Sequence, residues 1–180
     1  MTANPSAIPQ EVELVRSFVN TIDADEGTEE LDSPDALATW LVRAGLVPKG
    51  TVASGRDLRL ALQLRSALRA DLLANHDGDH DAAERAELED VCRELPLHAV
   101  GTPTALAPAA SGPRGGLSAI VAASVTSRIK GSWSRLKICP ADDCLWAFYD
   151  VSRNRSKRWC SMETCGNRNK VRAYRGRSHL

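Results

Sequence analysis

Cys139, Cys144, Cys160 and Cys165 form two C-x4-C pairs separated by fifteen residues near the end of a chain of 180. Thiolates at that spacing can meet across a hairpin, and four of them complete the tetrahedron of a zinc ion without needing a large hydrophobic core. The carboxy-terminal region is therefore expected to be a small module built on one structural zinc, with those four cysteines as its ligands. The fifth cysteine, Cys92, stands apart and reads as a small buried hydrophobe. A cytoplasmic address is expected from the lack of a secretory or membrane-spanning segment, and in that reducing compartment paired cysteines act as metal ligands rather than disulfides. No basic stretch leads into an apolar run at the amino terminus, and no segment approaches the roughly 20 apolar residues that span a bilayer. Neither secretion nor a membrane partner is expected.

The formal net charge of zero conceals a strong asymmetry. Residues 1–127 carry 10 Lys and Arg against 19 Asp and Glu, a net of −9, whereas residues 128–180 carry 13 against 4, a net of +9. Four thiolates around a divalent ion contribute about −2, which leaves the tail near about +7. A field of that sign on a small surface favours a polyanion. Nucleic acid is one candidate, and the chain's own acidic front half is the other.

That front half, residues 1–131, reads as a helical domain, with the zinc module occupying 132–180. Leu14, Val15, Phe18, Val19 and Ile22 recur at helical spacing and predict a helix over 9–22. The acidic stretch 23–32 reads as a loop. A second helix follows Ser33-Pro34, where serine caps and proline fits the first turn, and it stops at Gly45-Leu46. A third helix is expected over 54–75, with an apolar stripe through Leu58, Ala61, Leu64, Leu68 and Leu72 and with Arg59, Arg65, Arg69 and Asp71 solvated. The run Asn75 to Asp81, rich in His and Asp, lacks the frame of a calcium loop and reads as a solvated turn. A fourth helix is expected over 82–94, a small β-hairpin pairing 97–100 with 104–106, disorder near 111–116, and a fifth helix over 117–132. The fold class is thus mainly α, with a small treble-clef-like zinc module made of a short hairpin and a terminal helix.

Between the knuckles, Leu145 to Val151 is aromatic and β-branched, which predicts a short strand. Trp146, Phe148 and Trp159 are expected to wall the metal site, since ligation alone leaves such a site wet. Next come Arg153, Arg155, Lys157 and Arg158 on a basic turn. Gly166 permits a tight turn, and Asn167 is placed to cap a helix over 168–177. That helix sets Arg168, Arg172 and Arg175 on one stripe and Val171 and Tyr174 on another. No phosphate loop follows a strand, no serine lies in a G-x-S-x-G turn, and a four-cysteine site leaves zinc no open position for water, so an enzyme is not expected.

At Cys165-Gly166-Asn167-Arg168 the chain resembles the CGNR zinc finger proteins. The likeness extends over about 136–177 through the first cysteine pair, Phe148-Tyr149-Asp150-Val151-Ser152-Arg153-Asn154 and Arg158-Trp159-Cys160-Ser161-Met162. Members of that family carry an amino-terminal helical ABATE domain, and Phe18-Val19-Asn20-Thr21 and Ala44-Gly45-Leu46 are similar to its phrases. The resemblance implies zinc at the four cysteines and a role in transcriptional regulation, with the finger assumed to bind DNA.

The leading expectation is a DNA-binding regulator. Arg153, Arg155, Lys157, Arg158, Arg168, Lys170, Arg172, Arg175 and Arg177 would contact phosphates, because charge alone cannot select a sequence. The helical domain would then form a homo-oligomer or sense an effector. The alternative is a protein-interaction or autoinhibitory docking module whose basic face meets an acidic surface such as 23–32. RNA is a third partner, with Trp146 or Trp159 stacking on bases if they are exposed.

Overall fold

The computed structural model describes residues 7–76, 81–101 and 105–177. Among the described residues six α-helices and three two-stranded antiparallel hairpins follow one another: α1 (Gln10–Val19), β1 (Ile22–Asp23), β2 (Thr28–Glu29), α2 (Pro34–Arg43), α3 (Gly55–Ala74), α4 (Ala82–Arg93), β3 (Leu97–Val100), β4 (Ala105–Pro108), α5 (Gly112–Ile129), β5 (Leu136–Ile138), β6 (Ala147–Tyr149) and α6 (Asn167–Arg177). No helix among the described residues is long and apolar enough to cross a membrane.

Local chemistry sets the helix ends. The Ser33 hydroxyl accepts from the Ala36 amide at 3.1 Å with Pro34 behind it, and α2 stops where Gly45 takes a φ of +71° and the Leu46 amide returns to the Leu41 carbonyl. At the head of α3, Ser54 and Asp57 form a reciprocal capping box.

Two segments depart from the sequence reading. The expected loop 23–32 contains the β1–β2 hairpin, because the Asp23 carboxylate accepts from the amides of Asp25 and Glu26 and Gly27 supplies a φ of +67°. The expected disorder at 111–116 is the start of α5, five residues ahead of the predicted start at 117. Two of its glycines, Gly115 and Gly116, are there for close packing rather than for freedom. A Cβ on Gly115 would stand 2.5 Å from the Ala110 carbonyl oxygen, and one on Gly116 would stand 2.9 Å from a Leu41 methyl. The expected β3–β4 hairpin forms, with its second strand at 105–108 rather than 104–106, pairing Leu97 with Pro108 and Val100 with Ala105.

Valines, leucines and Trp40 from the helices make one apolar core, and that core continues into the carboxy-terminal hairpin through Trp133, Leu136, Ile138 and Ala147. Strand alternation explains this. Leu136, Ile138 and Ala147 turn one face of β5–β6 to the helices, while Lys137 and Phe148, paired across the strands, turn the other way.

The polar stripe of α3, expected to be solvated, supplies the seat. Arg65 is only 6% exposed and pairs with Glu29, Nη1 to Oε1 at 2.6 Å, and with the Thr21 hydroxyl at 2.9 Å. Arg69 donates to the carbonyls of Val19 (2.7 Å) and Leu145 (2.8 Å), tying α1 to the first cysteine knuckle. Asp71 accepts from the Trp133 indole at 2.9 Å and pairs with Arg128. Asn75 donates to the carbonyls of Trp133 and Leu136. His76, read as part of a solvated turn, contacts the Ile138 carbonyl through Nε2; residues 77–80 of that turn lie outside the described residues.

Asn20 completes the attachment. Its amide donates to the Ala147 carbonyl at 2.9 Å and accepts from the Ala147 amide at 2.8 Å, so one side chain imitates a neighbouring strand. Replacing it leaves two buried backbone groups without partners. Asn20→Ala is expected to lower stability by about 2–3 kcal/mol, read as a shift of the urea midpoint; an unchanged midpoint would contradict this role.

Candidate metal centre and basic face

The first knuckle closes where the amides of Cys144 and Leu145 both donate to the Ala141 carbonyl and the Cys139 amide donates to the Trp146 carbonyl. Leu145 leaves it with a φ of 51°, an unusual conformation for a branched residue, and the Arg69 bond to its carbonyl holds it there. In the second knuckle the Ser161 hydroxyl accepts from the Thr164 amide and opens a π-type turn, Met162–Gly166, that runs straight into α6. Asn167 is therefore inside the helical run rather than at its cap, and its side chain donates back to the Glu163 carbonyl. Gly166 has no left-handed backbone. A Cβ there would lie 2.8 Å from the Met162 sulfur, which that flexible side chain can withdraw, and 3.3 Å from the Trp159 ring.

These two turns bring the sulfurs of Cys139, Cys144, Cys160 and Cys165 within 4.8 Å of one another, with Cys144–Cys160 and Cys160–Cys165 at 3.6 Å. No disulfide joins them. A zinc ion with bonds of about 2.3 Å to four thiolates needs sulfur–sulfur edges of about 3.8 Å, so the donor set fits one tetrahedral zinc. Cys139 and Cys165 are 0% and 2% exposed, and Phe148, Trp146 and Trp159 pack against the cluster as expected. With protons in place of the metal, burial pushes the Cys144 thiol up to about 11 and raises Cys160 further. Burial acts the same way on Cys165, but hydrogen bonds from the other cysteines and from Arg168 bring it below its ordinary value.

Arg168 donates to the Cys165 sulfur at 3.5 Å and lies 3.3 Å from Asp143 and 3.6 Å from Asp25. Arg172 pairs with Asp143 at 2.7 Å. So Arg168 and Arg172 of the expected arginine stripe pair with the first knuckle, while Arg175 points outward and Val171 and Tyr174 are 48% and 69% exposed. A charge-assisted bond to a ligating sulfur holds the ligand and stabilises its thiolate form.

The basic turn after β6 is shaped by a pair that sequence reading missed. Asp150 is 0% and Lys137 5% exposed, and they meet at 3.1 Å. Asp150 also accepts from the Ser152 amide and hydroxyl and from the Lys157 amide; Lys137 donates to the carbonyls of Arg155 (2.7 Å) and Lys157 (3.3 Å). Against its burial, the bonds from Ser152, Lys137 and Lys157 hold the Asp150 carboxyl below its ordinary range. The chain then turns at Arg155 with a φ of 54°. The signal was present as an Asp two residues before Ser, the pattern of an Asx turn.

As a result Arg153, Arg155 and Arg158 project outward, as do Lys170 and Arg175 on α6. None of these five pairs with a carboxylate among the described residues. Lys157 is half-buried, with Nζ 5.3 Å from the Phe148 ring centroid, and Arg177 ends α6.

Residues 135–178 match the family model described as "CGNR zinc finger", and residues 13–129 match that of the ABATE family, described as "Putative stress-induced transcription regulator". A comparison with curated proteins found no match.

Removing Lys137 leaves Asp150 buried and unpaired. Lys137→Met is expected to cost about 3–5 kcal/mol, measured by urea unfolding of the zinc-loaded chain. Chelation is expected to unfold the module altogether, since structural zinc supplies on the order of 10 kcal/mol in small fingers; circular dichroism and near-ultraviolet tryptophan signals that persist in zinc-free protein would refute this.

Proposed function

Because the chain belongs to the ABATE family and carries a CGNR-type finger able to hold one structural zinc, we propose that it is a DNA-binding transcriptional regulator whose finger grips the phosphate backbone. The observation that carries this reading is the division of the arginines. Arg168 and Arg172 are consumed within the finger, whereas Arg153, Arg155, Arg158, Lys170 and Arg175 face outward from a turn and a helix locked to the same metal cluster. A rigid array of unneutralised cations on one small module is what a polyanion requires. Lys157 borders the array and adds to its field.

Phosphate contacts position a protein without choosing a sequence. The half-buried Trp146 and Trp159 are committed to the cysteine cluster, which favours duplex DNA over base stacking on single-stranded RNA. The helical region sets how the finger is presented, through Asn20, Arg69 and Asn75.

One contact favours a second reading, in which the acidic half masks the finger. Asp25, on the β1–β2 turn, lies 3.6 Å from Arg168 and so approaches the edge of the basic face. If that contact masks the finger, Asp25→Ala will raise affinity for DNA; an unchanged affinity will remove the masking reading.

Five phosphate contacts give a slope of log K against log salt of about −4.5 on a B-form duplex. Anisotropy titrations of a labelled duplex at several salt concentrations test this. Arg155→Ala and Arg158→Ala are each expected to reduce the magnitude of the slope by about 1 while leaving zinc content intact. A flat salt response in the zinc-loaded protein would end the DNA reading.

A further inference from the structure

Away from the finger, three arginines gather inside the acidic half of the chain. Arg56, Arg59, Leu60, Gln63 and Glu94 line a cavity of about 380 Å³. Arg56 and Arg114 both reach one oxygen of Glu94, Nη2 to Oε2, at 3.2 and 3.1 Å. Each of these three charges stands at a helix end that opposes it. Arg56 is in the first turn of α3 and Arg114 in the first turn of α5, where the helix dipole is already positive; Glu94 caps the carboxy end of α4, where it is negative. The first turn of α5 has no acidic residue, and Ser111 makes no side-chain cap there.

Such placement costs free energy in all three helices, and a single carboxylate serves both paired arginines. Arg59 lines the same cavity, and no carboxylate among the described residues pairs with it. Three guanidinium groups around one carboxylate leave an excess of two positive charges. Guanidinium forks bind phosphate and carboxylate oxygens bidentately, the Gln63 amide adds a neutral donor, and Leu60, 3% exposed, gives an apolar wall. A volume of 380 Å³ suits a metabolite of several carbons.

We infer that this cavity binds a small dianionic metabolite, one bearing a phosphate group or two carboxylates, whose two charges match the excess that Glu94 leaves. Arg56 and Arg59, which line the cavity, grip the guest, Arg114 holds Glu94 beside them, and Glu94 competes with the guest. The position suits an effector. The first turns of α3 line the cavity, and Arg69, ten residues further along the same helix and so about 15 Å away, clamps the first cysteine knuckle through Leu145.

Isothermal titration of the zinc-loaded full chain with inorganic phosphate, and separately with succinate, tests the assignment. Saturable binding of phosphate alone identifies a phosphate-bearing guest; binding of succinate, alone or with phosphate, identifies a dicarboxylate. In either case Arg59→Gln, an exposed substitution that spares the fold, weakens binding about tenfold, the loss of one charge-assisted contact. Glu94→Gln tightens it, which a purely structural ion pair would not produce. No saturable binding of either dianion up to about 10 mM in the wild type and in Glu94→Gln overturns the proposal. Binding that Arg59→Gln leaves unchanged also overturns it, because it places the anion on the basic finger instead.

Discussion

Four sulfurs crowded within 4.8 Å of one another, largely shut away from water, are the constraint on which the carboxy-terminal third depends. Burial drives the Cys144 and Cys160 thiols upward, so without a cation those two keep their protons. Zinc replaces those protons with one divalent charge and converts two loose turns into a fixed frame. The hairpin β5–β6 enters that frame at Cys139, and the π-type turn leaves it at Cys165 directly into α6. Arg168 then joins the frame to its surroundings by touching Cys165, Asp143 and Asp25 together.

The finger is seated rather than tethered. One face of its hairpin extends the helical core, and its backbone is held by side chains from α1 and α3 acting as substitute strand neighbours. The buried pair Lys137–Asp150, and Glu29 at the surface paired with buried Arg65, satisfy charges that would otherwise be costly to bury, and both organise backbone next to the seat. The orientation of the basic face is therefore a property of the whole chain. An event at the distant end of α3 has a continuous helix through which to reach it.

What the sequence made legible followed from short-range chemistry. The cysteine spacing, the Ser33-Pro34 start, the Gly45 stop and the 97–100 strand each carry their reason within a few neighbouring residues. Asn20, Arg65 and Arg69 were not legible as clamps, because their partners lie 127, 36 and 76 residues away and a polar residue on a helix looks solvated until its neighbour is known. Gly115 and Gly116 misled in the opposite direction. Glycine composition suggested freedom, whereas the backbone of α5 needs their missing side chains to approach Ala110 and Leu41. On α6 the helical period put Arg168, Arg172 and Arg175 on one stripe, yet only Asp143, from the other knuckle, decides that Arg168 and Arg172 are engaged while Arg175 stays outward.

The finger depends on the metal that its four sulfurs are arranged to hold. Zinc-edge X-ray absorption of the native protein is expected to give a first shell of four sulfurs at about 2.3 Å, with one zinc per chain. A shell containing nitrogen or oxygen, fewer than four sulfurs, or a native folded chain without zinc would contradict it.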